Sequence, residues 1–328
     1  MLNIKILATG GTIAGVGKNS SATTGYTAGA LGIDELLNAV PEIKKIANVS
    51  GEQICNIDSK DMTDEIWLTL ANRINEIFSD GDVDGIVVTH GTDTLEETAY
   101  FLNLTIHGDK PVVLTGAMRP ATAISADGPM NLLNAVRVAA NKNSVGKGVL
   151  VVLNDEINSA RDVAKTHTLN VATFRNFELG ALGYVNGGVP EFYCSTTRRH
   201  TIDSEFDVHD RKNLPLVKII YGHAGDDEIF VEAAVNSGAT GIVYAGTGNG
   251  SIPATTEKFL SAAAECGVVI VRSSRVGNGA VIPSKKIYTD EKFLDGDNLT
   301  PQKARILLQL ALTKTDDLAE IQRMFNQY

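Results

Sequence analysis

The sequence predicts an α/β protein with two domains: a larger amino-terminal domain with a mainly parallel sheet, and a smaller carboxyl-terminal α/β domain. The first observation is length, because 328 residues exceed one ordinary hydrophobic core. The second is a recurring unit, in which a short β-branched run ends in a turn of Gly, Thr, Ser or Asn and a helical pattern usually follows. The third is that these runs are continuously apolar, which is typical of parallel strands buried on both faces.

In the first half of the chain, four apolar runs predict strands. They lie in IKILATGGT, VDGIVVTHGTDT, KPVVLTGAMRP and GVLVVLNDE. Between the first two runs, DEIWLTLANRINEIF predicts an amphipathic helix with Ile66, Leu70, Ile74 and Ile77 on a common stripe. Strands that alternate with helices in this way favour a parallel sheet.

A polar, charged segment from about Pro190 to Pro215 interrupts this rhythm and predicts a linker. We therefore predict an amino-terminal domain at 1–190, a linker at 191–213 and a carboxyl-terminal domain at 214–328. In the last of these, VKIIYG, ATGIVYAGTGNGS and GVVIVRSSR predict strands. KARILLQLALTKT and LAEIQRMF predict two closing helices.

Composition excludes several classes of partner. A net charge of -10 and a pI near 5.1 argue against nucleic acid, and no apolar run approaches the span of a bilayer. Cys55, Cys194 and Cys266 lie far apart and predict neither a disulfide nor a metal site. The start, MLNIKILATGG, lacks the features of a signal peptide, so we expect a cytoplasmic protein, or a periplasmic one if a leader has been removed.

We expect a ligand-binding site at the carboxyl ends of the strands, because ligands of open α/β sheets bind there. The first end reads TGGT, and the hydroxyl of Thr12 beside two glycines could attack a carbonyl held by backbone N–H groups. On the pattern alone, a tight turn capped by threonine is the better interpretation. A phosphate loop is disfavoured because neither GK[ST] nor the spacing G-x-G-x-x-G occurs there.

The loop GVGKNSSATTGYTAGALG that follows is long, polar and rich in glycine, as a mobile lid would be. Tyr26 is its only aromatic residue. A lone tyrosine in such a loop either anchors the loop by packing or carries a hydroxyl to the site when the lid closes.

The second strand end, THGTDT, offers the hydroxyl of Thr92 and the carboxylate of Asp93 to a cleft. The alternative for Asp93 is an N-cap of the helix that follows. His90 suggests a catalytic triad, but a histidine beside a glycine turn is more often a satisfied core residue. Lys165 would act as a base if it entered the cleft near Thr92 and Asp93.

The turn AGTGNG in the second half contains Asn249. Its simple interpretation is a turn that uses the tolerance of asparagine for left-handed backbone. Its functional interpretation is an amide that binds a polar ligand across a domain or subunit boundary.

Four motifs, taken as a set, identify a family. TGGTIAG, THGTDTLEET, GAMRPATAISADGPMN and VRSSRVGNG resemble those of the bacterial type II L-asparaginases, and the resemblance covers essentially the whole length. It implies hydrolysis of asparagine to aspartate and ammonia, with no metal or organic cofactor. It also implies a homotetramer whose active sites lie between the first domain of one subunit and the second domain of its neighbour.

The resemblance also implies roles for individual residues. Thr12 corresponds to the family's nucleophile and Tyr26 to its lid tyrosine. Thr92, Asp93 and Lys165 correspond to its Thr-Lys-Asp group, in which the aspartate also pairs with the α-ammonium group of the substrate.

Three further positions match the family's substrate-binding residues. Ser59 corresponds to the serine that holds the α-carboxylate. Ala117 corresponds to the alanine whose carbonyl faces the amide, and Asn249 to the asparagine that the neighbouring subunit supplies.

Two departures from the family pattern bear on efficiency and substrate range. Lys60 stands where the family usually has Gln or Glu in contact with the ammonium group of the ligand. Lys285 and Lys286 stand near the place of an acidic residue that reaches the partner's lid tyrosine, and Asp290 and Glu291 are the alternative acidic residues for that place. We predict weaker use of L-glutamine than of L-asparagine.

Three other functions remain open. A glutaminase-asparaginase would use the same scaffold, and a non-catalytic amino-acid sensor would be compatible with the two departures. The intact hydroxyl and lysine set counts against a sensor. A nucleotide-binding module lacks every phosphate signature.

Overall fold

A computed structural model describes residues 1–21, 23–176, 178–283, 288 and 292–328. Contacts within the chain divide it into two compact units, Met1–Asp210 and Arg211–Tyr328. The division falls inside the segment predicted as a linker.

The first unit is built on an eight-stranded sheet in the order β10-β9-β6-β5-β4-β3-β1-β2. Its helices are α1 (Ile33–Ala39), α2 (Asp64–Asp80), α3 (Leu95–Thr105) and α4 (Gly128–Ala139). Its strands are β1 (Asn3–Gly10), β2 (Asn48–Ile57), β3 (Gly85–Thr89), β4 (Val112–Thr115), β5 (Val149–Leu153), β6 (Glu156–Ser159), β9 (Gly183–Asn186) and β10 (Val189–Phe192). A separate two-stranded ladder joins β7 (Ala164–Lys165) to β8 (Phe174–Arg175).

The five neighbouring strands β5, β4, β3, β1 and β2 are parallel. The sheet continues beyond β5 with β6, β9 and β10, which pair antiparallel. The apolar run of β3 is buried throughout, as expected for a central parallel strand. The predicted fold class is confirmed. The end of β10 extends into the segment from about Pro190 that we predicted to be a linker, and its backbone pairs there with β9.

The second unit has a four-stranded parallel sheet in the order β11-β12-β13-β14. Its strands are β11 (Val217–Tyr221), β12 (Gly241–Gly246), β13 (Val269–Ser274) and β14 (Leu294–Asp295). Its described helices are α5 (Ile229–Asn236), α6 (Ala254–Glu265), α7 (Pro301–Ala311) and α8 (Leu318–Gln327).

The predicted helix beginning DEIW forms α2, whose N-cap Thr63 accepts a hydrogen bond from Ile66 N. Leu70, Ile74 and Ile77 are buried as predicted. Ile66 is only half-buried, because Trp67 occupies the buried position one residue later and stacks on Phe101 of α3.

Each unit has its own apolar core. In the first unit α4 packs on the sheet against residues such as Ile6, Val87 and Val113. In the second, Ile242 and Ile270 pack with residues of α5 and α6, including Val231 and Leu260. Cys55, Cys194 and Cys266 are all free thiols. No helix among the described residues is long and apolar enough to cross a membrane.

Candidate active site

The carboxyl ends of β1 and β3 touch because the two strands are parallel neighbours. Ala8 pairs in register with Thr89, and the loops beyond them meet at two glycines. A Cβ on Gly11 would lie 2.3 Å from the backbone nitrogen of Gly91, so no side chain fits there. Gly11 also has a φ of 81°, a left-handed value that favours glycine. This contact brings together the backbones that carry Thr12 and Thr92, the residues that follow the two glycines.

Thr12 lies in a short 3-10 turn and is 6% exposed. Its Oγ1 is 2.6 Å from the Oη of Tyr26, and either hydroxyl can be the donor. The loop between them folds back because Gly29 N donates to Gly11 O and Val16 pairs with Thr27. The sequence therefore delivers two hydroxyls that lie fourteen residues apart to one hydrogen bond.

A second group of polar side chains surrounds the loop after β3. Lys165 Nζ donates to Thr92 Oγ1 at 3.0 Å and forms an ion pair with Asp93 Oδ1 at 2.6 Å. Ser59 Oγ accepts a hydrogen bond of 3.1 Å from the backbone nitrogen of Asp93. The Thr92 and Ser59 side chains are buried, whereas that of Asp93 is 57% exposed and open to a ligand.

The N-cap interpretation of Asp93 is wrong. Helix α3 begins with Leu95, and its N-cap residue is Thr94, whose side chain makes no capping bond. The Thr94 hydroxyl donates instead to Ser59 O at 2.7 Å, which ties the loop to the Ser59 turn. The carboxylate of Asp93 is left to face Lys165.

His90 is a core residue that lies outside this group of polar side chains. It is fully buried, and burial lowers its pKa from 6.5 to about 4. Trp67 Nε1 donates to Thr98 Oγ1, so the Thr98 hydroxyl hydrogen is free to donate to His90 Nε2 at 2.9 Å. His90 Nδ1–H then donates to Gly91 O at 2.7 Å. A neutral histidine with both nitrogens bonded fits the expected core role and holds the glycine of the loop.

Ala117 follows β4 and is fully buried. The carboxylate of Asp127 accepts hydrogen bonds from the backbone nitrogens of Met118 and Arg119, each at 3.0 Å. Asn131 Nδ2 donates to Gly116 O on the other side. The backbone on both sides of Ala117 is therefore fixed. Sequence reasoning missed both anchoring residues, Asp127 and Asn131, although both belong to the GAMRPATAISADGPMN motif.

Asn249 lies in the second unit, in the turn after β12. The left-handed interpretation of this residue is wrong, because the positive φ values belong to its neighbours Gly248 and Gly250. Its side chain instead bonds both backbone groups of Ile282, with Ile282 N donating to Oδ1 at 2.9 Å and Nδ2 donating to Ile282 O at 3.2 Å. The buried side chain of Arg272 donates to Asn249 O at 2.7 Å.

The two departures have different outcomes. The side chain of Lys60 is 62% exposed and lies 2.6 Å from Asp58 and 3.5 Å from Asp61, and its hydrogen bond with Asp58 raises its pKa. The Lys60 ammonium group therefore lies among solvent-exposed carboxylates. Lys285, Lys286, Asp290 and Glu291 lie outside the described residues.

Comparison with known proteins shows the family of the chain. The family model for the amino-terminal domain of asparaginases matches residues 3–198. The model for the carboxyl-terminal domain of glutaminases and asparaginases matches residues 216–325. The chain belongs to the asparaginase family. The family predicted from the four motifs is therefore confirmed.

Named relatives match nearly the whole chain. L-asparaginase 2 of Bacillus subtilis is 55% identical over 99% of this chain and 86% of its own length. L-asparaginase 2 of Escherichia coli is 52% identical over 99% of this chain and 93% of its own. The crystal structure of a probable cytoplasmic L-asparaginase from Campylobacter jejuni is 51% identical, covers both chains fully and superposes with a TM-score of 0.97.

These relatives support the predicted amidohydrolase function, hydrolysis of asparagine to aspartate and ammonia. The relatives also include a glutaminase-asparaginase of Pseudomonas fluorescens, 47% identical over this whole chain and 91% of its own length.

Proposed function

We propose that this chain is an L-asparagine amidohydrolase that uses Thr12 as its nucleophile. The observation that carries the proposal is the Thr12–Tyr26 hydroxyl pair at 2.6 Å, set on a backbone that touches the loop of Thr92 and Asp93. A neutral amide is attacked only by an activated hydroxyl, and a hydroxyl partner that relays the proton onward supplies that activation.

The second group suits the amino-acid end of the substrate. Ser59 Oγ accepts from the backbone, so its own hydrogen can donate to an α-carboxylate. The exposed Asp93 carboxylate can pair with an α-ammonium group while it remains bound to Lys165. Carboxylate and ammonium recognised side by side select an α-amino acid.

The reaction then runs as two acyl transfers. Thr12 Oγ1 attacks the side-chain carbonyl carbon, its proton is relayed through the Tyr26 hydroxyl to the amide nitrogen, and that nitrogen leaves as ammonia. Thr92 positions a water molecule, which attacks the resulting ester, and Lys165 Nζ holds the Thr92 hydroxyl oxygen by donating a hydrogen bond to it. Aspartate leaves, and the proton returns to Thr12. The fixed backbone at Ala117 borders the reacting carbonyl in this proposal.

Thr12→Ala tests the nucleophile. We expect ammonia release from asparagine to fall by at least about a thousandfold, because removal of a covalent nucleophile leaves only binding and oxyanion stabilisation. Asparagine binding, measured by calorimetry, should persist within a few-fold. Turnover close to that of the wild type would remove Thr12 as the nucleophile.

The active unit is proposed to be a homotetramer in which Asn249 completes the site of a neighbouring subunit. Subunit mixing tests this arrangement. Thr12→Ala and Asn249→Ala subunits are denatured together and refolded, which allows some sites to regain both native residues. Activity above the sum of the separately refolded variants supports sharing between subunits, and simple additivity contradicts it.

Glutamine is proposed as a second, weaker substrate. Relatives named glutaminase-asparaginase support the use of glutamine. The values of kcat/KM for the two amides measure the preference. A higher value for glutamine would favour the glutaminase-asparaginase alternative.

A further inference from the structure

Glu96 is a buried acidic residue in the first turn of α3, and the proposed mechanism does not use it. Its side chain is 5% exposed, which is unusual for glutamate. Its Oε2 accepts a hydrogen bond of 2.5 Å from the backbone nitrogen of Lys165, a residue 69 positions away. A buried carboxyl group committed to a distant backbone N–H calls for an explanation.

The local structure around Lys165 is too small to fix this residue by itself. Lys165 belongs to β7, which has two residues and pairs with the two residues of β8. In that ladder, Thr166 N donates to Thr173 O, whereas the N–H of Lys165 is directed to Glu96. A ladder of this length is marginal without further support.

One segment, residues 92–96, holds Lys165 at both ends. Thr92 and Asp93 receive the side-chain Nζ, and Glu96 receives the backbone nitrogen. Fixing the two ends of a flexible lysine removes the rotamer freedom that would otherwise scatter its ammonium group. Glu96 sits on a helix, which makes its carboxyl group a rigid reference point.

We infer that Glu96 is a positioning residue, which acts through Lys165 to set the ammonium group against Thr92 and Asp93. The expected effect on catalysis rests on the proposed function. The effect on the position of Lys165 Nζ does not depend on what the protein hydrolyses. Replacement of Glu96 releases the backbone of Lys165 and lets Nζ leave Thr92.

The experiment compares Glu96→Ala with a matched variant, Asn103→Ala. Asn103 lies in the same helix, is also 5% exposed, and its Oδ1 accepts a backbone hydrogen bond from Val149 at 2.9 Å. Both variants lose a buried acceptor, so a general loosening of α3 would affect them alike. Glu96→Gln keeps an acceptor oxygen and serves as the conservative rescue.

We expect Glu96→Ala to lower kcat for asparagine by about tenfold or more with KM within about threefold, since one charge-assisted hydrogen bond is lost. Glu96→Gln should recover most of kcat, and Asn103→Ala should stay within about twofold of the wild type. An equal loss of kcat in Glu96→Ala and Asn103→Ala, or no loss in Glu96→Ala, overturns the inference.

A crystal structure of Glu96→Ala separates this inference from the proposed function. The inference requires Lys165 Nζ to leave hydrogen-bond distance of Thr92 Oγ1, whatever the protein hydrolyses. An unmoved Nζ contradicts it. A displaced Nζ in a protein that does not hydrolyse asparagine at all would leave the positioning role intact and defeat the proposed function.

Discussion

The loop after β3 in the first unit and the turn after β12 in the second both follow a buried parallel strand, and both are rich in glycine and threonine. In the first, the side chains of Thr92 and Asp93 meet Lys165, and one carboxylate stays open to solvent. In the second, the buried side chain of Arg272 donates a hydrogen bond to the backbone carbonyl of Asn249, and the Asn249 side chain bonds the backbone of Ile282. The same sequence pattern thus gives a cluster of interacting polar side chains in one unit and a turn whose backbone is held by an arginine in the other.

The difference comes from the distant residue that reaches each loop. Lys165 presents a flexible ammonium group to side chains, whereas Arg272 presents a planar guanidinium to carbonyl oxygens. Arg272 also pairs with Asp295 at 2.6 Å and lies over the ring of Tyr288 at 4.1 Å. Lys165 bonds side chains that can contact a substrate, whereas Arg272 bonds the backbone of its turn. We therefore expect removal of Lys165 to lower activity and removal of Arg272 to lower stability.

Lys165→Met should produce the largest loss of catalytic activity while leaving folding intact. We expect kcat to fall by about a hundredfold or more, because the variant loses the charge that holds Thr92 and Asp93. Lys5→Met is the matched control, since Lys5 pairs with Glu52 at 2.8 Å and is 20% exposed against 18% for Lys165. Steady-state kinetics of the two variants measure the contrast, and equal losses would deny Lys165 a special role.

Arg272→Met should show the opposite behaviour, a loss of stability. Removal of the guanidinium leaves Asp295 without its partner and the carbonyl of Asn249 without its donor. We expect a loss of about 3–5 kcal/mol in the free energy of unfolding, measured by chemical denaturation. Arg323→Met, which breaks an exposed pair with Glu320, should cost about 1 kcal/mol or less. Comparable losses in the two variants would contradict the bracing role.

His90→Gln should give a third and smaller effect, on the pH dependence of the free energy of unfolding. The unfolded chain binds the His90 proton near the ordinary pKa of 6.5, while the folded protein binds it near a pKa of about 4. The stability that neutral His90 contributes is therefore fully present above pH 6.5 and is lost as the pH falls towards 4. Between about pH 7 and pH 5 the wild type should lose about 2 kcal/mol that His90→Gln does not lose.

His200 provides the comparison for that measurement. Its pKa is also lowered by burial, but it is only half-buried. His200→Gln should therefore remove less of the pH dependence than His90→Gln does. Urea midpoints at the two pH values decide the order, and a larger effect from His200 would reverse the account of His90.

The fold was largely predictable because its strands have strong local signals. The apolar runs of β1, β3, β4, β5 and β11 to β13 are short, continuous and bounded by turns, and each forms a strand. β2 was not predicted, since its residues are mostly half-buried or exposed and carry polar side chains. The antiparallel strands beyond β5 were not predicted either, because each has only four residues and lacks a continuous apolar run.

The polar residues at the strand ends could be predicted from the sequence, but the residues that hold them in place could not. Thr12, Thr92 and Asp93 follow strands directly, so their placement follows from the sheet. The partners that hold them come from far along the chain, and Lys165 is 73 residues from Thr92. Nothing local marks Glu96, Asp127 or Arg272 as anchors, because each looks like an ordinary charged residue until the fold buries it.

The central claim, that Thr12 forms the covalent bond to substrate, is tested most directly by trapping the intermediate. Enzyme mixed with asparagine is quenched in acid within one turnover, digested and mapped by mass spectrometry. The proposed mechanism predicts an aspartyl ester on the peptide that contains Thr12, absent from the Thr12→Ala variant. An ester found on Thr92 instead, with Thr12 unmodified, would contradict it.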